Sequence, residues 1–125
     1  MFSHIFVGSN DLARSKVFYD ALFAATGGPE AIVDEAKGRL IYLHKGAAFI
    51  VATPINGEPA TIANGATIGF SFANEAEVNA WHAAGVAHGG TSIEDAPGLR
   101  PAANLYLAYL RDPDGHKLCA LYRPA

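Results

Sequence analysis

The run Arg111-Asp112-Pro113-Asp114-Gly115-His116-Lys117-Leu118-Cys119-Ala120-Leu121-Tyr122 constrains this chain more than any other stretch. Asp-Pro-Asp-Gly spells out a tight turn. Pro113 presets φ near about −65° at the first central position, and Gly115 lifts the Cβ restriction where the chain reverses. Leu105 to Leu110 precedes the turn and Lys117 to Tyr122 follows it, both rich in aromatic or aliphatic residues. Two such runs around a tight turn predict an antiparallel β-hairpin.

The rest of the chain supplies two similar units. Phe2 to Gly8 alternates like a strand, with Phe2, His4 and Phe6 on one face. Asn10 or Asp11 then caps a helix over Leu12 to Ala24, which Gly27-Gly28-Pro29 stops. Ala31–Asp34, Arg39–His44 and Ala48–Thr53 follow as short strands, with Lys37-Gly38 and Lys45-Gly46 as turns. Residues 54–64 form a polar connector. After it Thr67 to Phe72 alternates again, and Asn74 with Glu77 signals a helix start. Trp81 anchors that helix, Gly85 stands as its C-terminal glycine, and Val86–Ser92 is expected as a strand. Ile93 to Asn104 is expected as a loop before the final hairpin.

An offset of 63 residues superposes His4-Ile5 on Thr67-Ile68, Asp11 on Asn74 and Phe18 on Trp81. The order of elements agrees as well, which points to a tandem β-α-β-β-β repeat. Chance similarity between two amphipathic strand–helix units is the competing explanation. The implied architecture is α+β with eight strands and two helices, in one domain: module one about 1–54, a linker about 55–65, module two about 66–125.

Composition narrows the function. At 125 residues, half of them hydrophobic and 17% charged, the chain suits a single soluble core. A net charge of −3 argues against nucleic acid and anionic membranes as partners. No stretch approaches the ~18 consecutive apolar residues of a membrane span. No signal-peptide pattern follows Met1, and the lone Cys119 has no internal disulfide partner. A cytoplasmic protein is the expectation.

The wording Arg-Asp-Pro-Asp-Gly-His-Lys-Leu before a short apolar strand resembles the last hairpin of the vicinal oxygen chelate superfamily. That superfamily holds the glyoxalases, extradiol dioxygenases, fosfomycin-resistance enzymes and bleomycin-resistance proteins. The resemblance spans essentially the whole chain. It implies two paired modules forming a cup-shaped mixed or antiparallel sheet with the helices outside, a small-molecule site in the cup, and a homodimer. It also implies a divalent metal held by His, His and Glu from the first strand of each module and the last strand of the second. His4 matches the first position, whereas Thr67 and Cys119 occupy the other two.

That replacement disfavours metal. A threonine hydroxyl is a weak neutral ligand, and a thiol with a reference pKa of about 8.5 must first ionise. No cofactor is therefore expected, with a divalent metal as the alternative because softer ions accept His and Cys. Tyr109 lies ten residues before Cys119, where the resemblance to fosfomycin-resistance enzymes puts a Tyr close to substrate. Tyr42 and His44 are cup candidates by alternation on the third strand, although a one-residue shift in register would turn them away. Arg100 sits in the loop before the hairpin, a place suited to an anion-seeking lid. His82, His88 and His116 are assigned to surface or turn positions. No other catalytic or phosphate-binding motif is present.

Two classes of function follow. The first is a binding protein of the bleomycin-resistance kind that takes a small organic ligand in a cup lined by Phe2, Phe6, Tyr109 and Thr67, without metal. The second is an enzyme: a metal-dependent lyase or transferase of glyoxalase or fosfomycin-resistance type, or a metal-free catalyst using His4 and Cys119.

Overall fold

The computed structural model describes residues 1–125. β1 (His4–Gly8) leads into α1 (Leu12–Ala24), then β2 (Ile32–Asp34), β3 (Arg39–His44) and β4 (Ala47–Ala52). The second set is β5 (Ile68–Phe72), α2 (Glu75–Ala87), β6 (Thr91–Ser92), β7 (Gly98–Arg100), β8 (Leu105–Arg111) and β9 (Lys117–Tyr122). The fold is α+β, with one mixed sheet in the order β1-β4-β3-β2 and another in the order β5-β9-β8-β6, with β7 also on β8. Each opens with a parallel pair, β1 with β4 and β5 with β9, and continues antiparallel. No ladder joins β1 to β5, so the two sheets stay distinct and no barrel closes.

Local chemistry sets the helix ends. Asp11 accepts from the backbone N–H of Arg14 at 3.0 Å, and Asn74 accepts from that of Glu77 at 2.9 Å. At the far end of α1, the N–H of Gly28 reaches Phe23 O at 2.8 Å and that of Gly27 reaches Ala24 O at 3.2 Å. This is a Schellman arrangement, and Gly27 supplies the positive φ it requires (81°).

Three expectations need correction. Val86–Ser92 is not a strand: α2 continues to Ala87, and only Thr91–Ser92 pairs with β8. Gly85 therefore lies inside the helix, and its role is close packing. A Cβ there would sit 2.3 Å from Leu110 Cδ1 and 3.2 Å from Leu22 Cδ1, both in fully packed side chains. The signal shared by a terminal glycine and a packing glycine is the same letter, and only the tertiary contact separates them. The 93–104 segment also carries β7, which makes nine strands where eight were expected.

One core serves both sheets. Phe18, Tyr19, Leu22 and Phe23 of α1, Val78 and Trp81 of α2, and Tyr42, Phe49, Val51, Leu110 and Leu118 from the strands belong to one buried cluster. The two helices touch each other and face this cluster. The opposite sheet faces have no helix over them. On the first sheet this leaves Phe6, Ile32 and Leu43 exposed.

The final turn bolts the two halves together. Asp112, 4% exposed, accepts from the N–H groups of Asp114 (3.0 Å) and His116 (2.9 Å) and from the Tyr19 hydroxyl of α1 (2.6 Å). Asp114 accepts from Asn10 N–H and Arg14 Nη2, each at 3.0 Å, and from Ser15 Oγ at 3.3 Å. Its negative charge thus lies against the positive end of α1. His116, assigned to the turn surface from sequence, also holds Gly8 O through Nε2 at 2.7 Å.

Asp112→Ala leaves three donors short of an acceptor, and should lower unfolding stability by about 3 kcal/mol. Asp112→Asn keeps the Oδ1 acceptor for both N–H groups, and its amide NH2 can donate to the Tyr19 oxygen in place of accepting from it, so it should cost less than the Ala change. Burial, working against the Tyr19 hydrogen bond and the His116 charge, holds the Asp112 carboxyl above its ordinary range. A raised folded pKa contributes stability below the unfolded value of about 3.9, and that contribution is lost as pH rises through the folded value. The Asn variant should therefore match or gain on the parent as pH rises across that window. Urea unfolding of parent, Ala and Asn chains at several pH values checks this; equal losses in Ala and Asn would contradict it.

Candidate functional site

The two sheet edges β1 and β5 leave a crevice between the halves. It encloses about 350 Å³. Phe23 and Trp81 from the helices, Phe49 from β4, and Ile68, Phe70 and Phe72 from β5 form its apolar wall. The rings are close: Phe49 to Phe70 5.5 Å, Phe23 to Phe70 6.1 Å, Phe70 to Trp81 6.1 Å between centroids. They arise because β5 turns Phe70 and Phe72, and β4 its one aromatic residue Phe49, toward the helices. His4, His44 and Lys45 complete the lining, with Phe2 beside them.

His4, Tyr42 and His44 all line this crevice, but from opposite faces of the first sheet: the register puts His4 on the uncovered face with Leu43, while Tyr42 and His44 face the helices and not the helix-free face expected for the cup. Their settings differ. His4 opens β1, is exposed, and has Nδ1 2.7 Å from Ser3 Oγ. Tyr42 is fully buried, stacks on Phe23 at 4.6 Å and donates to Asp20 Oδ1 at 2.8 Å. Burial, and then the Asp20 carboxylate, push its phenol well above the ordinary range. Burial alone would raise Asp20, but hydrogen bonds from Lys16, the Ala31 N–H and Tyr42 outweigh it and hold that carboxyl low. Tyr42 is thus committed to structure. The register settles the alternation: Leu40, Tyr42 and His44 face the helices, while Arg39, Ile41 and Leu43 share the uncovered face with Phe6.

The other candidates lie apart from the crevice. Phe6 projects from the uncovered face under the Arg39 guanidinium, 5.3 Å from its ring centroid. Thr67 is exposed, one residue before β5. Tyr109 and Cys119 are direct cross-strand partners on the face of the second sheet opposite Leu118 and Ala120. Burial raises the Cys119 thiol above its ordinary value, with Tyr109 acting against it and Glu94 adding to it. Burial likewise raises the Tyr109 phenol, helped by Cys119. Lys117 lies 4.9 Å over the Tyr109 ring and pairs with Glu94. Arg100 spends its guanidinium on its own loop, donating to Gly98 O (2.9 Å), Ala96 O (3.2 Å) and Asp95 O (3.3 Å). It closes a turn and does not reach outward as a lid.

A superfamily model described as Glyoxalase/Bleomycin resistance protein/Dioxygenase superfamily matches residues 1–120. The chain belongs to this superfamily. A crystal structure of a glyoxalase/bleomycin resistance protein from Albidiferax ferrireducens T118 shares 50% identity over 98% of both chains, with a TM-score of 0.93. A glyoxalase-related enzyme from Fulvimarina pelagi, 21% identical, covers 99% of this chain and 88% of its own with a TM-score of 0.79. A lactoylglutathione lyase from Agrobacterium tumefaciens, 18% identical, covers 98% and 92% with a TM-score of 0.69, a likeness of fold. No curated protein matches the chain.

The metal that the superfamily resemblance implies finds no matching donor set within this chain. No three His, Cys, Asp or Glu side chains come together. His4 and Cys119 lie on the uncovered faces of two separate sheets, Thr67 is neutral, and burial opposes the thiolate a metal would need.

Of the crevice residues, Phe23, Lys45, Phe49, Phe70 and Trp81 were not named as site residues from sequence, where Trp81 stood as a helix anchor and Lys45 as a turn residue. Their signal was the aromatic alternation of β5 and the capless apolar run of β4, which a core strand shows equally.

Native Cys119 should alkylate with iodoacetamide more than tenfold slower than the unfolded chain at pH 7, since the thiolate is the nucleophile and both burial and the raised pKa suppress it. Its rate should still climb above pH 9. A native rate equal to that of the unfolded chain would show an exposed, ordinary thiol.

Proposed function

We propose that the chain binds a small, partly aromatic organic molecule in the crevice between its two modules, without a divalent metal. The observation that carries this reading is the 350 Å³ aromatic cavity with a few polar groups at its opening. Its volume falls within the range of about 300–1,000 Å³ typical of small-molecule sites. Metal-free binding accords with the chemistry of His4, Thr67 and Cys119, which supplies one good neutral ligand where the superfamily pattern has three. No helix is long and apolar enough to cross a membrane, and we take the cytoplasm as the working location.

A homodimer is part of the same proposal. Phe6, Ile32 and Leu43 leave a row of apolar side chains on a sheet face that no helix covers. A second copy, self-complementary about a twofold axis, would bury it.

Melting curves test the ligand and the metal together. A neutral aromatic probe, 3-phenylpropanamide, should raise the melting temperature, because binding to the folded state at a hundred times Kd adds about 2.7 kcal/mol. That corresponds to a shift on the order of 5 °C for a domain of this size. Ni²⁺, Mn²⁺, Zn²⁺ and Mg²⁺ should give no shift that disappears in His4→Ala; such a shift would place a metal at His4 and overturn the metal-free reading. Sedimentation equilibrium should return twice the 13.1 kDa chain mass, and Leu43→Asp should shift it toward the monomer.

A further inference from the structure

The opening of the crevice is charged with one sign only. Of the residues lining it, only His4, Tyr42, His44 and Lys45 are ionisable, and none is Asp or Glu. Tyr42 turns its hydroxyl away to Asp20. What remains is a lysine and two imidazoles. The chain as a whole carries a net charge of −3, so this local excess runs against its overall balance. Lys45 takes no part in the chain's three ion pairs, which involve Arg14, Lys16 and Lys117.

The backbone under Lys45 adds a second observation. Lys45 and Gly46 both have positive φ, 49° and 82°, at the tip of the β3–β4 hairpin. This turn accepts Gly, Asn or Asp at its first central position with less strain than a long side chain. A lysine therefore stands in a conformation that disfavours it, at the lip of the cavity and without an acidic partner. Strained residues of this kind collect at ligand clamps.

We infer that the ligand of this crevice is an aromatic or aralkyl carboxylate. Its ring lies among Phe23, Phe49, Phe70 and Trp81, and its carboxylate is held at the opening by Lys45 beside His4 and His44. This rests on the crevice-binding reading above and adds the chemical class. An aromatic wall by itself also suits a cation through the ring faces. The cationic rim decides against that, since a like charge at the opening would be repelled while a carboxylate gains a charge-assisted hydrogen bond.

Trp81 is the only tryptophan of the chain, so its indole N–H gives a single reporter peak inside the crevice. The full chain is titrated with 3-phenylpropanoate, 3-phenylpropanamide and 3-phenylpropylammonium, with dissociation constants from calorimetry and the Trp81 peak followed by NMR. The carboxylate should move the peak saturably and bind about tenfold or more tighter than the amide, with the ammonium weakest. Lys45→Gln, an exposed change, should reduce carboxylate affinity to that of the amide and leave the amide unchanged. Ile5→Phe, which extends the crevice wall inward, should weaken both. Equal binding of all three probes in the parent would overturn the carboxylate assignment while leaving crevice binding intact. Tightest binding by the ammonium would do the same and name a cation. A Trp81 peak that none of the probes moves would overturn the crevice-binding reading itself, and the carboxylate assignment with it.

Discussion

The structure depends on where two carboxylates of one turn are held. Asp112 and Asp114 sit in the last hairpin, yet most of their side-chain partners lie at the β1–α1 corner, about a hundred residues earlier in the chain. The Asp114 side chain is only 2% exposed and ionic, so it would be costly to bury without the donors of Asn10, Arg14 and Ser15 and the positive end of α1 around it. Asp112 gathers three donors, one of them the Tyr19 hydroxyl from the middle of α1. The turn thereby defines its own backbone and the position of the first module with the same atoms. Hydrophobic burial alone is non-directional and would allow the two halves to slide.

With that corner pinned, α1 and α2 meet where Gly85 permits close approach, and both helices press on the strand faces that carry Tyr42, Phe49, Leu110 and Leu118. β1 and β5 then lie near each other without exchanging backbone hydrogen bonds. The missing ladder creates the crevice. Aromatic side chains of β4 and β5, which would be ordinary core residues in a continuous sheet, here reach an opening between the modules. Polar side chains from the start of β1 and the β3–β4 turn surround that opening.

The pair Tyr109 and Cys119 occupies a different environment. Both hydroxyl and thiol are held protonated, chiefly by burial, and the nearby Lys117 is already paired with Glu94. This is a poor setting for a nucleophile, which needs a depressed pKa or an adjacent base. It is compatible with a packed position whose sequence place coincides with a superfamily metal ligand.

Sequence alone determined the α+β class, the two strand–helix units, a first cap at Asn10 or Asp11 and a second at Asn74, the stop after α1 and the final hairpin. Each of these is encoded within a few neighbouring residues, where turn chemistry, capping and periodicity act directly. It also named His4, Tyr42 and His44 as cup candidates, and these line the crevice from opposite faces of the first sheet. Tertiary structure decided the rest. Gly85 became a packing point because Leu110 and Leu22 converge on it, inside a helix that continues to Ala87. Tyr42 turned to the helices because the β3–β4 register places it beside Phe49 and within reach of Asp20. Arg100 was drawn back to three carbonyls of its own loop. Lys45 became a site candidate only when a hairpin tip in one module met aromatic residues of the other. Such assignments depend on which distant surfaces meet, and no local pattern carries that information.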